Sequence, residues 1–262
     1  MVSGVRLHKI ISWNVNGLRA VAKKGFFDFL YKEQPALFAV QEIKCKKEQL
    51  ENELLNPVGY KSVFFSAQKA GYSGVAIYIK DSIKFDNIGG LGIKEFDDEG
   101  RLIGVELDNY IFFSAYFPNS QEEGKRVNYK VEYCDAVLEY LNSLNKKNKN
   151  ILISGDYNIA HTAIDLTHPE SNKNSPGYLP EERAWMDKFL LNNPYVDTFR
   201  LFNKEPKNYT WWSYRTNARE RNVGWRIDYH CVNKIMESRI VDSYHNTLVL
   251  GSDHCPVTVL VK

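Results

Sequence analysis

The chain has 262 residues, of which 44% are hydrophobic and 25% are charged. This ordinary globular composition argues against a wholly disordered or fibrous protein. Lys and Arg number 34 against 32 Asp and Glu, and the formal net charge of +2 argues against a general polycationic coat for nucleic acid. A nucleic-acid site on this chain must therefore come from local clustering of charge.

Short apolar runs rich in β-branched residues recur along the chain and predict strands. They lie at 10–15, 37–41, 63–66, 75–79, 102–107, 111–116, 151–154, 226–232 and 256–261. Helical patterns separate some of them, at 25–32, 46–55, 122–144 and 180–191. Because strands outnumber helices and several adjoin directly, we predict a layered α/β (α+β) sandwich with mixed or antiparallel sheets. No linker or repeat divides the chain, so we expect residues 1–262 to form a single domain.

The cysteines and the hydropathy of the chain indicate its cellular compartment. Cys45, Cys134, Cys231 and Cys255 form no CxxC pair, which argues against a zinc ribbon and a dense disulfide framework. Residues 1–9 lack the apolar run of a signal peptide, and no stretch of about 18 apolar residues predicts a membrane span. We expect a cytoplasmic protein with no membrane partner.

Six apolar runs, the last of them at 248–250, are followed directly by polar side chains. These are Asn14 and Asn16, Glu42, Tyr116 and Asn119, Asp156 and Asn158, Asp228, and Asp253 and His254. One Asp or Asn after a strand is usually turn chemistry, but six such ends predict a shared pocket of oxygen ligands and one imidazole. Such ligands suit Mg²⁺ or Mn²⁺, and the lack of Cys and clustered His argues against structural zinc.

A second unusual segment interleaves basic and aromatic residues. Residues 211–226 contain four Arg and four aromatic residues, a pattern that fits a DNA-facing loop. The alternative is a solvated charged loop whose Trp residues belong to the core.

Motifs spread over nearly the whole chain resemble the exonuclease III / AP endonuclease family of the endonuclease–exonuclease–phosphatase superfamily. They come in the family's order: WNVNGLRA at 13–20, QEIK at 41–44, GYSGV at 71–75, YFPN at 116–119, GDYNIAH at 155–161, WRIDY at 225–229 and GSDHCP at 251–256. The GDxN and SDH motifs indicate only the superfamily, whereas WNVNGLRA and the Trp before RIDY are more specific. The resemblance implies a four-layer α/β/β/α sandwich of two mixed β-sheets flanked by helices, with the site at one rim of the two sheets.

The resemblance also implies a DNA repair activity. The expected reaction is Mg²⁺-dependent hydrolysis of the phosphodiester bond 5′ to an abasic site in duplex DNA, leaving a 3′-hydroxyl. Repair of blocked 3′ ends and 3′→5′ exonuclease activity are expected beside it. We expect a monomer that works at the nucleoid with one or two ions of Mg²⁺, or of Mn²⁺. The sequence does not rank the endonuclease against the exonuclease activity.

The metal ligands are implied by the resemblance. Glu42 is the principal ligand, with Asp253 and Asn16 beside the ion and Asn14 near the same cluster; Asp156 and Asn158 are further ligands in this set. Some relatives carry Asp at position 16, and the neutral amide removes one negative charge from the cluster. We therefore expect one tightly bound Mg²⁺.

The resemblance assigns the chemistry to five residues. Asp156 is the general base for the attacking water, and Asn158 holds the phosphate or the nucleophile. His254 contacts a non-bridging phosphate oxygen, and Asp228 pairs with His254 and favours the imidazolium. Tyr116 donates a hydrogen bond to the phosphate or to the leaving oxygen. The sequence leaves the general base open between Asp156, His254 and a Tyr116 phenolate.

The resemblance places an apolar pocket for the flipped-out abasic sugar between Trp211, Trp225 and Ile227, with Asn172 lining the same region. Arg215 is expected to enter the helix near the lesion, where a long cation could fill the gap. The residues expected to contact the DNA backbone are Arg19, Lys44, Tyr72, Asn119 and Lys125.

Two other functions remain open. A nonspecific DNase, an inositol-phosphate phosphatase or a sphingomyelinase of the same superfamily would share the acidic and histidine motifs. Such enzymes need not keep Trp211, Trp225 and the Arg-rich loop between them. A non-catalytic DNA-binding module is disfavoured, because every catalytic position holds a competent residue.

Overall fold

The structure, a computed structural model, describes residues 7–262. Twelve strands are found there: β1 His8–Asn14, β2 Leu37–Gln41, β3 Tyr60–Phe65, β4 Val75–Lys80, β5 Asp86–Ile88, β6 Leu102–Glu106, β7 Ile111–Tyr116, β8 Ile151–Asp156, β9 Tyr195–Asp197, β10 Asp228–Asn233, β11 Ile240–His245 and β12 Val257–Val261. The α-helices of this range are α1 Leu18–Ala22, α2 Phe26–Glu33, α3 Asn52–Leu55, α4 Lys94–Asp97, α5 Val127–Asn145, α6 Pro169–Asn172, α7 Pro180–Leu190 and α8 Thr198–Phe202. Short 3₁₀ turns lie at Lys47–Gln49, Glu122–Gly124, Ala163–Asp165, Arg215–Asn217 and Lys234–Arg239.

The strands form two six-stranded mixed sheets. The first has the order β11-β12-β1-β2-β4-β3, and the second has the order β5-β6-β7-β8-β10-β9. In each sheet one central pair is parallel, β1 with β2 and β7 with β8, and the other pairs are antiparallel. The carboxyl ends of the two strands in a parallel pair meet at the same edge of the sheet. This arrangement gathers the ends of β1, β2, β7 and β8 at one rim.

The alternation of side chains along the central strands builds three apolar layers. Ile10 of β1 faces the core between the sheets, whereas Ile11 and Trp13 face the side covered by α1 and α2. In the second sheet, Leu152 of β8 faces the inner core, and its neighbour Ile153 packs on the side of α5 and α7. Helices thus cover the outer face of each sheet, and the predicted four-layer α/β/β/α sandwich is confirmed.

Some predicted elements are wrong in detail. The helix predicted at 46–55 is a 3₁₀ turn followed by α3, separated by the extended residues Leu50 and Glu51. The run 248–250 is not a strand, because it forms an exposed turn in which Leu248 is 94% accessible. The edge strands β5, β9 and β11 were not predicted, since they are short or lack a regular alternation of buried residues. Within residues 7–262, no helix combines the length and apolar character needed to cross a membrane.

Candidate active site

An acidic cluster lies between the rims of the two sheets. Asn14, the last residue of β1, donates from Nδ2 to Glu42 Oε1 at 2.9 Å and to Asp156 Oδ2 at 2.8 Å. Glu42 directly follows β2, and Asp156 ends β8 in the other sheet. Ligand atoms of Glu42, Asp156 and His254 all lie within 4.8 Å of one another. The fold therefore brings together side chains that are far apart in the sequence.

The backbone at these strand ends is strained. Asn16, Glu42, Lys44 and Asn158 all have φ between 49° and 53°, in the left-handed region that non-glycine residues rarely adopt. Residues held in such conformations cost of order 1–3 kcal/mol each and are often found at functional sites.

Asp253 lies beside the cluster and is held by three donors, one of which is the Ser252 hydroxyl at 3.2 Å from Oδ1. Its Oδ1 accepts a hydrogen bond from Asn16 Nδ2 at 2.9 Å, and its Oδ2 accepts one from the Trp211 indole at 3.1 Å. Lys44 Nζ lies 2.7 Å from Glu42 Oε2 and also donates to Asn16 Oδ1. Burial raises the pKa of Glu42, but Lys44 and Asn14 outweigh it and hold the pKa below its usual value. Glu42 is therefore an anion at neutral pH.

His254 is buried next to a second carboxylate. Its Nδ1 lies 2.8 Å from Asp228 Oδ2, which also accepts a 2.6 Å hydrogen bond from the Thr210 hydroxyl. Burial lowers the pKa of His254, but the Asp228 carboxylate outweighs burial and raises the pKa to about 10. The imidazole is therefore cationic at neutral pH, and its Nε2 lies 3.9 Å from Asp156 Oδ2.

Asp156 is buried, and both of its carboxylate oxygens accept hydrogen bonds. Its Oδ1 accepts from the Asn158 backbone at 2.7 Å, and its Oδ2 accepts from Asn158 Nδ2 at 3.1 Å. Burial is the main cause that raises the pKa of Asp156 to about 7; the charge of His254 opposes the rise, and Asp228 and Glu42 contribute to it. A carboxylate whose pKa lies near the working pH is well suited to general-base catalysis.

Tyr116, at the end of β7, is buried at the same rim. Its ring lies under the guanidinium of Arg101, whose Cζ is 4.7 Å from the ring centroid. Burial and the neighbouring Glu42 raise the pKa of Tyr116 well above its usual value. The phenol is therefore neutral at physiological pH, and it can donate a hydrogen bond but does not form a phenolate.

A cavity of about 520 Å³ opens directly beside the acidic cluster. One wall is apolar, with Trp211 and Trp225 in an edge-to-face arrangement at 6.5 Å and Ile227 beside them. Asn172 lines the same cavity, as do Glu42, Tyr116, Asp156 and Asp253. The cavity thus presents an apolar surface and the acidic cluster to the same ligand.

Of the other predicted DNA contacts, Asn119 lines this cavity and the rest lie outside its lining. Arg19 and Lys44 line a shallow groove together with Lys23 and Lys24. Tyr72 is half-buried, and its hydroxyl accepts hydrogen bonds from Arg101 and Arg126, both at 2.8 Å. Asn119 donates to Asn158 Oδ1, Arg215 is exposed in its 3₁₀ turn, and Lys125 is exposed and pairs with Glu123. The structure brings Asn119 into the cluster, whereas Lys125 lies outside it.

Several supporting residues were not found from the sequence. The buried Lys130–Glu182 ion pair (2.7 Å) lies behind the site, and Lys130 Nζ also donates to the Asn158 carbonyl at 2.7 Å. Lys130 falls on the apolar face of α5, and a charge on such a face is a signal that could have revealed it. Arg101 and Thr210 belong to no motif and become visible only when the strands are assembled.

The donor set fits a hard divalent cation. Glu42, Asp156 and Asp253 provide carboxylate oxygens, and Asn14 and Asn16 provide amide oxygens, which Mg²⁺ and Mn²⁺ prefer. The four cysteines are buried and none belongs to the cluster. The only imidazole of the cluster is engaged with Asp228 and is cationic, which makes it a poor metal ligand.

Comparison with known proteins gives consistent matches. The family model described as Endonuclease/Exonuclease/phosphatase family matches residues 11–254. The chain is 40% identical to an exodeoxyribonuclease of Bacillus subtilis, over 97% of this chain and 99% of that protein. It is also 40% identical to a DNA-(apurinic or apyrimidinic site) endonuclease of Dictyostelium discoideum, over 97% of this chain and 70% of that protein.

Solved structures match equally well. The AP endonuclease of Leishmania major superposes with a TM-score of 0.89 and 30% identity, covering 98% of this chain and 88% of that chain. An AP endonuclease from Archaeoglobus fulgidus gives a TM-score of 0.86 and 27% identity, covering 97% and 99% of the two chains.

Proposed function

The chain belongs to the Endonuclease/Exonuclease/phosphatase family, and on this basis we propose that it hydrolyses the phosphodiester bond 5′ to abasic sites in duplex DNA, leaving a 3′-hydroxyl. Family membership confirms the resemblance and the expectation of an enzyme. The observation that carries the proposal is a single cavity lined both by the apolar wall of Trp211, Trp225 and Ile227 and by the acidic cluster. A sugar without a base fits such a wall, and flipping it out of the duplex costs less than flipping a paired nucleotide.

We propose that Glu42 holds Mg²⁺, with Asp253 and Asn16 beside it and Asn14 orienting the carboxylates. The ion supplies positive charge to the phosphate and to the leaving oxygen. A cluster with Asn rather than Asp at position 16 carries one negative charge fewer, which favours a single tightly bound ion. Asp156 and Asn158 are the remaining oxygen ligands of the proposed set.

Five side chains then have separate roles in the proposed hydrolysis. Asp156 accepts the proton of the attacking water, and Asn158 holds the nucleophile or the phosphate. The His254 imidazolium, kept charged by Asp228, stabilises a non-bridging phosphate oxygen, where negative charge develops in the transition state. Tyr116 donates a hydrogen bond to the phosphate or the leaving oxygen. These roles agree with the pKa shifts, which leave Asp156 the basic group and keep Tyr116 and His254 protonated.

We also propose a second activity for the same cavity, at the 3′ ends of DNA. Two structural relatives from Neisseria carry the names 3′–5′ exonuclease and 3′ phosphatase, at 26% and 25% identity. We propose that a terminal nucleotide or a blocking group can enter the cavity at a nick, so that blocked 3′ ends are also substrates.

The proposed contacts to the DNA backbone are Arg19, Lys44, Tyr72, Asn119 and Lys125. The proposed contacts near the lesion are Asn172 and Arg215. The monomer, the single domain over 1–262 and the cytoplasmic, nucleoid-associated location stay predictions.

The test uses a labelled duplex with one tetrahydrofuran abasic mimic beside the matched intact duplex. The mimic cannot undergo β-elimination, so its cleavage must be hydrolytic. The proposal expects rapid incision 5′ to the mimic while the intact duplex is spared internally. Equal cutting of both duplexes would indicate a nonspecific nuclease instead, and cutting of neither would indicate a phosphatase or lipid substrate.

A further inference from the structure

We infer that Trp211 is a positioning residue that joins the sugar pocket to the metal-binding carboxylates. The inference deepens the proposed function and rests on it. The indole ring of Trp211 forms part of the apolar wall of the cavity, and its N–H donates to Asp253 Oδ2 at 3.1 Å. One side chain therefore contacts both the space for the sugar and a proposed metal ligand.

The backbone fixes the Trp211 ring in this place. Trp211 and Trp225 exchange two backbone hydrogen bonds of 2.9 Å each, and a further bridge links Trp211 to His254. The neighbouring Trp212 backbone N–H donates to the Asp253 carbonyl at 3.0 Å. Because the indole and the carboxylate belong to two backbone segments that are hydrogen-bonded to each other, their own hydrogen bond has a defined geometry.

The hydrogen bonds continue from Asp253 to the principal proposed ligand. Asp253 Oδ1 accepts from Asn16 Nδ2 at 2.9 Å, and Asn16 Oδ1 accepts from Lys44 Nζ. Lys44 in turn lies 2.7 Å from Glu42 Oε2. The chain of contacts from the pocket wall to the metal ligand is therefore continuous. Asp253 Oδ1 also accepts from the Ser252 hydroxyl at 3.2 Å, whereas Oδ2, which accepts from Trp211, keeps a lone-pair direction for a cation.

Trp225 provides a natural comparison within the same pocket. Its ring forms the other aromatic wall at 6.5 Å from Trp211. The hydrogen bonds found among residues 7–262 include one from the Trp211 indole to a cluster carboxylate and none from the Trp225 indole. Both rings thus offer the ligand an apolar surface, but of the two only Trp211 donates a hydrogen bond to a carboxylate of the cluster.

Outer contacts that orient a ligating carboxylate typically change metal affinity 10–100-fold when they are removed. The inference therefore expects Trp211→Phe, which keeps an aromatic wall but loses the donor, to weaken metal binding about tenfold. It expects Trp225→Phe to leave metal binding unchanged. Because linkage is reciprocal, the same bond lets an occupied pocket alter the affinity for the ion.

The test measures Mn²⁺ binding to the DNA-free enzyme by electron paramagnetic resonance of the free ion. Native protein, Trp211→Phe and Trp225→Phe are compared, with thermal unfolding to show that each variant is folded. Placing β-(3-benzothienyl)alanine at position 211 removes only the N–H donor and keeps the ring shape, which covers the case in which Trp211→Phe does not fold. The expected result is a roughly tenfold weaker Mn²⁺ affinity for both changes at 211.

A second measurement separates the two roles of the ring. In EDTA, the affinity for a tetrahydrofuran duplex should fall in both Phe variants, since each loses indole surface, and should stay native in the benzothienyl protein. An unchanged Mn²⁺ affinity in the folded 211 variants, or an equal loss in Trp225→Phe, would overturn the inference. The Mn²⁺ measurement needs no DNA, so it can fail or succeed independently of the proposed incision.

Discussion

Asp228 Oδ2 lies 2.8 Å from His254 Nδ1 in a buried pair whose two residues are 26 positions apart in the sequence. Asp228 opens β10 of the second sheet, whereas His254 lies three residues before β12 of the first. The pair therefore exists only when the two sheets are packed together. It keeps the imidazole charged and directs Nε2 toward Asp156.

Replacing Asp228 by Asn should lower the single-turnover incision rate on a tetrahydrofuran duplex about 100-fold. The neutral amide no longer stabilises the imidazolium, so the positive charge near the phosphate is lost at neutral pH. The substrate KM should change little. Asp86→Asn, on an exposed position of β5, is the matched control and should behave as the native enzyme. A native rate for Asp228→Asn would show that the pair is not part of the chemistry.

Removing the metal should abolish incision, and neutralising its principal ligand should raise the Mg²⁺ concentration that incision needs. EDTA should stop the reaction, and added Mg²⁺ should restore it fully. Glu42→Gln keeps the shape of the side chain but loses the charge, and it should raise the Mg²⁺ concentration needed for half-maximal rate at least tenfold. Titrating Mg²⁺ against the incision rate checks this. The same requirement in the native enzyme and in Glu42→Gln would exclude Glu42 as the main ligand.

Gly155→Ala should destabilise the protein by about 3 kcal/mol or more. An added Cβ at Gly155 would lie 1.8 Å from the Ala115 carbonyl oxygen, so β7 and β8 would have to separate just before Asp156. Chemical denaturation measures the loss. Gly89→Ala is the control, because nothing lies within 4 Å of its added Cβ and the residue is exposed. Similar stabilities of the two variants would refute the close approach of the strands.

The stability should fall as the pH drops from about 6.5 to 4, partly through His230. Burial lowers the pKa of His230 to about 4, and the neutral ring bridges the Ser154 hydroxyl and the Val257 carbonyl. Between the two pKa values the unfolded chain binds the proton and the folded chain does not, so acid favours unfolding. Thermal melts from pH 7 to 4 should show a shallower decline for His230→Gln. Parallel pH profiles would contradict the assignment.

Arg215→Ala should raise the KM for abasic duplex several-fold and leave kcat unchanged. The exposed guanidinium lies in the 3₁₀ turn of the Arg-rich loop, where it can fill the gap left by the missing base and contact a phosphate. Losing one phosphate contact should also lower the salt dependence of DNA binding by about one unit. Lys32→Ala, on an exposed position of α2, is the control. An unchanged KM would remove Arg215 from the DNA interface.

The sequence predicted the polar residues at the strand ends better than the residues that hold those side chains in place. Asn14, Glu42 and Asp156 were identifiable because each follows an apolar run, and strands that end at one rim bring such residues together. Lys44 was predicted only as a backbone contact, since its pairing with Glu42 depends on a left-handed turn that no spacing reveals. Arg101, whose guanidinium lies over the Tyr116 ring, directly precedes β6 and belongs to no motif.

The turn at 248–250 shows the opposite error. The three apolar residues at 248–250 were interpreted as the end of a strand. They lie instead in an exposed turn that precedes Asp253. A short apolar run carries too little periodicity to separate a buried strand from an exposed loop. Asp253 and His254, which follow this run, nevertheless lie at the acidic cluster. The motif that indicated them does not depend on the structure of the residues before it.

The proposed reaction is metal-dependent hydrolysis that leaves an extendable 3′-hydroxyl 5′ to the abasic site. To test it, the tetrahydrofuran duplex is incubated with the enzyme in Mg²⁺ or in EDTA, the enzyme is then inactivated, excess Mg²⁺ is restored in both samples, and a DNA polymerase is added with labelled nucleotides. We expect labelled extension from the incised strand after incubation in Mg²⁺ and none after incubation in EDTA. An incised strand that the polymerase cannot extend, or equal incision in EDTA, would contradict it.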